Sequence, residues 1–159
     1  MKEISSTVTA RVDVPRDTLF DWFIPVDLPA ILVPYGPITA VVRTSAQSGP
    51  WDRIGSTRTV HLADGNTARE AVTEYERPVY FAYRVAQFSN VIGRLASEAR
   101  GQWWFTEAGD ASTDVKWTYL FVPRSLLSAL VLFPVVRLPW RGFMRASMRQ
   151  LKKLAEAEA

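Results

Sequence analysis

The hydrophobic and polar positions of residues 55–123 read as consecutive long antiparallel strands, and a helical spacing follows them to the C-terminus. Ile4 to Val12 alternates with Ile4, Val8, Ala10 and Val12 on one side, which predicts a first strand. Pro15 suits the first turn of a helix, and Asp17 places negative charge at its N-terminal end. Leu19, Phe20, Trp22 and Phe23 are that helix's apolar residues, and Pro25 ends it. A second helical turn covers Asp27 to Leu32 and is closed by Pro34. Strands are predicted over 40–44, from Gly55 to a turn at Asp64-Gly65-Asn66, and over 67–76, 80–88, 98–107 and 114–122. Ser45 to Ile54 is a loop, and Ser125 to Phe133 fits either a short helix or an apolar loop.

The last segment, from about Pro139 to Ala157, is an amphipathic helix. At about 100° per residue, Trp140, Phe143, Met144, Ser147, Met148, Leu151 and Leu154 fall within an arc of roughly 140°. Arg141, Arg145, Arg149, Lys152 and Lys153 take the opposite side. Seven sequential strands, two short helices after the first and one long helix after the last predict an α+β domain with antiparallel pairing. A long curved sheet needs cover on its concave face, and the last helix is the element long enough to give it.

At 159 residues the chain fits a single domain, 1–159, able to bury a core without disulfides or metals. It has no cysteine and one histidine, His61, so no metal site is expected. The net charge of +3 is mild, and no base-reading motif supports a nucleic-acid partner. The first residues carry no apolar run, which predicts no signal peptide, and Leu126 to Val136 is about half a membrane span and contains Pro134. These readings predict a soluble, cytoplasmic protein.

The order of elements, with Val14-Pro-Arg-Asp-Thr-Leu-Phe-Asp-Trp-Phe, Gly55-Ser-Thr-Arg-Thr-Val-His-Leu-Ala-Asp-Gly65, Glu70-Ala-Val72, Phe81-Ala-Tyr-Arg-Val85, Thr113 to Pro123 and the terminal helix, resembles the SRPBCC superfamily. This is the START-like, helix-grip fold of the birch pollen allergen and the polyketide cyclase/dehydrase-like proteins, and the resemblance covers essentially the whole chain. It implies a seven-stranded curved sheet wrapped around the C-terminal helix, with a small hydrophobic ligand (lipid-, polyketide- or aromatic-like) held between them. The implied cavity lining is Arg58, Val60, Glu70, Val72, Phe81, Tyr83, Trp117, Tyr119 and Phe121 from the sheet, with Trp140, Met144 and Met148 from the helix. No cofactor is implied. Fold alone does not set activity. A cyclase/dehydrase-type enzyme using the same cavity is the alternative to a binding protein, and no residue set forces catalysis.

Alternation supports the inner face of 114–122, where Lys116 and Thr118 point outward, and leaves the face of 67–76 open. If the turn has three residues, Asp64-Gly65-Asn66, Arg58 stands opposite Val72, with Glu70 and Glu74 as diagonal neighbours. An inward Arg needs a carboxylate partner. The couple would either orient a ligand carbonyl or carboxylate, or serve as a structural salt bridge near the rim. His61 should face outward. Trp103 and Trp104, being adjacent, must point to opposite faces, so one lies outside, open to a partner or membrane or covered by a loop. The basic helix face reads first as solvated surface, with docking to anionic lipid or an acidic partner as the less favoured alternative.

Overall fold

A computed structural model describes residues 2–159. Seven strands form one antiparallel sheet: β1 (Ile4–Val12), β2 (Val41–Ser45), β3 (Thr57–Leu62), β4 (Thr67–Glu76), β5 (Tyr80–Ala86), β6 (Ala96–Glu107) and β7 (Thr113–Pro123). Their order across the sheet is β1-β7-β6-β5-β4-β3-β2. Every neighbour after β2 is reached by a simple return, and only the first connection crosses the sheet. It does so through two short helices, α1 (Arg16–Phe23) and α2 (Leu28–Ile31). A third, α3 (Ile92–Leu95), lies between β5 and β6 and was not visible in the hydrophobic pattern. It follows a local turn in which the Asn90 side chain accepts the Ile92 N–H at 3.1 Å. Just before it Gln87 takes a left-handed φ of 54°, so β5 ends at Ala86 rather than at Phe88.

The C-terminal element is longer than its amphipathic half predicts. Leu126–Val135 is helical (α4), and Ser125 caps it by accepting the Ser128 N–H at 3.1 Å. A π turn, Val136–Trp140, joins it to α5, Arg141–Glu158. Residues Leu126–Glu158 are thus one helix of 33 residues, and the open alternative for 125–133 resolves as helix. Pro134 and Pro139 have no N–H to donate, so the helix carries them in and beside a widened turn instead of stopping. The Val136 carbonyl in that turn accepts the buried Ser6 hydroxyl at 2.6 Å, which pins the turn to β1.

The core lies between the concave sheet face and this helix. β1 contributes Ile4, Val8 and Val12, and β7 contributes Val115, Trp117, Tyr119 and Phe121. α5 buries Phe143, Met144, Ser147, Met148, Leu151 and Ala155, and packs chiefly on β1 and the short helices. Its basic side is exposed as expected at Arg141, Arg145, Arg149 and Lys153. Lys152 differs: it is half-buried, donates to the Arg11 carbonyl at 2.5 Å and pairs with Glu156 at 2.8 Å. It ties α5 to β1 instead of standing free in solvent.

Trp103 and Trp104 separate as alternation requires. Trp103 is buried and stacks on Trp117, with ring centroids 4.6 Å apart. Trp104 is on the outer face, where it is covered by side chains rather than a loop: the Lys116 ammonium sits 4.4 Å from its centroid and Tyr80 packs at 5.5 Å.

Candidate ligand cavity

The β3–β4 hairpin sets the polar part of the site. Leu62 N–H donates to the Asn66 carbonyl at 2.8 Å, so the three residues of the turn are Ala63, Asp64 and Gly65. The register therefore places Arg58 directly opposite Glu70, not opposite Val72. The shift is a whole pair, so the faces are kept, and Ala68, Glu70 and Val72 are the buried inner positions of β4. His61 is on the other face, with Nε2 2.7 Å from the Ser45 hydroxyl.

Arg58 and Glu70 are both buried, with Nε 3.6 Å from Oε1. The guanidinium lies over the Trp51 ring at 3.8 Å from its centroid. Burial pushes the Glu70 carboxyl above its ordinary range, and the Arg58 charge opposes that shift without cancelling it. At 3.6 Å the Arg58 Nε–H has no hydrogen-bond partner among the described residues, and neither have the buried indole N–H groups of Trp117 and Trp140.

A cavity of about 740 Å³ opens beside this pair, within the usual size range for a small-molecule site. Of the residues expected from sequence, Arg58, Val60, Glu70, Phe81, Tyr83, Trp117, Tyr119, Phe121 and Trp140 line it. Val72, Met144 and Met148 do not; they are correctly placed as inner-face residues but belong to solid core. The reason is α1. Its Phe20 and Phe23 pack edge-on or tilted against Phe105 at 5.1 and 5.5 Å, and Phe23 lies 4.6 Å from Trp103. This aromatic plug closes the groove under α5 and leaves the space under α4 and the π turn, where Leu132, Val135, Val136 and Pro139 form the roof.

An aromatic wall runs along one side. Tyr83 and Tyr119 meet at 6.3 Å, Tyr119 and Trp140 at 5.0 Å, and Trp140 and Phe143 at 5.0 Å. Gly101 makes this possible. It stands in β6 between Tyr83 and Tyr119 in register, and any Cβ there would run into the Tyr83 ring. Burial, with the Glu70 charge adding to it, raises the Tyr83 hydroxyl above its ordinary range. Tyr119 is raised further by burial, then by Tyr83 and Glu70, so both keep their protons at neutral pH.

Trp51, Gly101, Phe143 and the residues of α4 were missed by sequence reasoning. A glycine inside a strand pattern was a usable signal for Gly101. Trp51 is a lone aromatic in a polar loop after Gly49-Pro50, and nothing local says that it folds over Arg58.

Among solved structures, the chain superposes on norcoclaurine synthase from Thalictrum flavum, in complex with dopamine and hydroxybenzaldehyde. The TM-score is 0.72 at 10% identity, over 99% of this chain and 89% of that one. It superposes on the protein XoxI from Bacillus cereus with a TM-score of 0.67 at 12% identity, over 95% and 94% of the two chains. For an uncharacterised protein from Bacillus thuringiensis the TM-score is 0.65 at 14% identity, over 95% and 98%. At these identities the likeness shows the fold, a helix-grip domain. Among curated proteins, none matches the sequence. The family model described as polyketide cyclase/dehydrase and lipid transport matches residues 3–156, nearly the whole chain, and the protein belongs to that family.

Proposed function

We propose that the protein binds one small, largely apolar molecule that carries a hydrogen-bond acceptor, in the cavity beneath α4 and the π turn. The observation that carries this reading is a roomy, mostly apolar cavity whose lining residues include Arg58, Trp117 and Trp140, each with a buried N–H group left unpaired. Arg58 Nε, Trp117 Nε1 and Trp140 Nε1 have no hydrogen-bond partner among the described residues. A buried donor left unpaired costs on the order of 1–3 kcal/mol, which a ligand carbonyl or carboxylate recovers. The aromatic wall favours a flat or unsaturated body. The superposition on a norcoclaurine synthase complex with two small aromatic molecules is in keeping with such a ligand.

A cyclase/dehydrase-type reaction in the same cavity is the second reading. It is favoured by a specific feature: a buried carboxyl with a raised pKa beside a guanidinium and a protonated tyrosine, a set able to polarise a carbonyl and move a proton.

Native mass spectrometry of the purified protein for a co-purified hydrophobic compound identifies the ligand. Arg58→Met then separates the readings, because it keeps the apolar stem and removes the fork. In a binding protein the variant loses about tenfold or more in affinity, the worth of a charge-assisted hydrogen bond. In an enzyme its turnover falls by about 10²–10³-fold with a smaller change in binding. A variant unchanged in both would make Arg58 structural and remove it from either scheme.

A further inference from the structure

The outer side of the 33-residue C-terminal helix changes character halfway along. Its first part exposes Leu126, Leu127, Leu130, Phe133 and Leu138, with Leu126 and Leu127 each 71% exposed and Leu138 70%. Its second part exposes Arg137, Arg141, Arg145, Arg149 and Lys153, four residues apart along one stripe. None of these five cations is within ion-pair distance of a carboxylate among the described residues. Residues 115–155 contain no aspartate or glutamate at all. Val91, 62% exposed, adds to the apolar surface just before α3, which packs on α4.

Aliphatic exposure on this scale along one face marks an interaction surface. The helix is long and apolar enough to cross a bilayer, but its inner side is the core of the domain, through Leu132, Val136, Met144, Met148 and Leu151. Spanning would tear that core open, so the helix can lie on a membrane but not through one. A second copy of the chain is disfavoured by charge. The exposed cations around the patch, Arg94, Arg124, Arg137 and Arg141, have no acidic counterpart on the patch, and a self-paired face would set two positive rims together. A surface with leucines to insert and arginines to follow suits a layer whose interior is apolar and whose surface is negative.

We propose that the outer face of α4, with Val91 beside it, docks onto an anionic lipid bilayer, and that Arg137 and Arg141 contact the headgroups. The position of the cavity mouth supports this. Of the cavity-lining residues, Pro37, Asp64, Val91 and Val131 face solvent, and the last two belong to the docking surface. Docking thus sets one side of the mouth against lipid, and an apolar molecule passes between bilayer and cavity with little exposure to water. The docking itself does not depend on what the cavity holds.

Co-sedimentation of the full chain with vesicles tests this, using phosphatidylcholine alone and phosphatidylcholine mixed with phosphatidylglycerol. The expected result is binding to the mixed vesicles, little to the neutral ones, and weakening by salt. The double variants Leu127→Ser/Leu130→Ser and Arg137→Gln/Arg141→Gln each lose about tenfold or more in vesicle affinity. None of the four residues lines the cavity, so an unchanged lipophilic-probe signal shows that the variants are folded. No sedimentation with either vesicle, or binding indifferent to both double variants, overturns the proposal. A dimer that Leu127→Ser/Leu130→Ser converts to monomer, with no vesicle binding, overturns it in favour of self-association.

Discussion

The two halves of the C-terminal helix meet the same sheet and do opposite things. Along α5, Met144, Met148 and Leu151 are fully or almost fully buried against β1 and the aromatic plug from α1. Along α4 and the π turn, Leu132 and Val136 are just as inaccessible to solvent, yet they look onto an open cavity. Burial does not distinguish a side chain with neighbours on all sides from one with neighbours on three. What separates the halves is the filling opposite. Phe20, Phe23 and Phe105 supply it at the α5 end, whereas at the other end Gly101 lets the Tyr83 ring lie close against the sheet. One half holds the fold together and the other leaves room for a ligand.

The largest effect expected from this contrast is at Met148. Met148→Asp places a charge in solid core and should cost several kcal/mol, read as a large drop in thermal midpoint. Val131→Asp, on the rim of the cavity and already exposed, should leave the midpoint nearly unchanged. Equal losses at the two sites would mean that the α4 half is packed as tightly as the α5 half.

A matched pair of valines sharpens the same comparison at smaller scale. Val60 and Val72 are both buried on the inner sheet face, on neighbouring strands, and only Val60 reaches the cavity. Enlarging Val72 to Phe overpacks closed core and should cost about 1–3 kcal/mol. Val60→Phe has space to enter, so it should cost less than about 1 kcal/mol while weakening a bound lipophilic probe by about tenfold. Denaturant midpoints together with probe titrations read both quantities. A reversed order would move the cavity to the other end of the sheet.

Nearly all of the fold was legible in the sequence, because period and punctuation decide it. Alternation gave the strands, prolines and turn residues gave most of their ends, and the arc of apolar residues gave α5. The long helix was cut short because its amphipathic pattern starts only at about Pro139 and Pro134 interrupts the apolar run before it. Tertiary support for a π turn, including the Ser6 hydroxyl on the Val136 carbonyl, lets the chain continue. The inner-face residues were legible as a set, but their division into cavity wall and core was not. Val72, Met144 and Met148 have the same pattern as Val60 and Trp140. Their difference depends on how far α1 reaches across the groove, a distance between elements that no local pattern encodes. The Arg58–Glu70 register failed for a narrower reason. Leu62 pairs with Asn66, so the turn is Ala63-Asp64-Gly65, and both placements of a three-residue turn carry Gly65.

The smallest expected effect concerns the polar corner of the open end, and its sign follows from linkage. Burial raises the Glu70 carboxyl, so the folded state holds that proton more tightly than the unfolded chain does. The resulting stabilisation is fully present below the unfolded glutamate value of about 4.3 and is lost as pH rises through the higher folded value. Glu70→Gln removes the titration while keeping the shape. With Glu70 protonated the parent too leaves Arg58 without a charged partner, so parent and variant start close together at low pH. The difference in stability, variant minus parent, should climb as pH is raised from about 4.3 through the folded value, and then level off. The surface carboxylates Asp21, Asp114 and Glu156 act oppositely. Hydrogen bonds from Arg77, Arg11 and Lys152 respectively lower them, so their contribution is lost as pH falls, and they cancel in the difference. Denaturant unfolding of both forms across that range measures the slope. A flat difference would mean that Glu70 titrates as an ordinary exposed carboxyl. The corner would then be wetter than its burial implies, and its claim to hold a ligand acceptor correspondingly weaker.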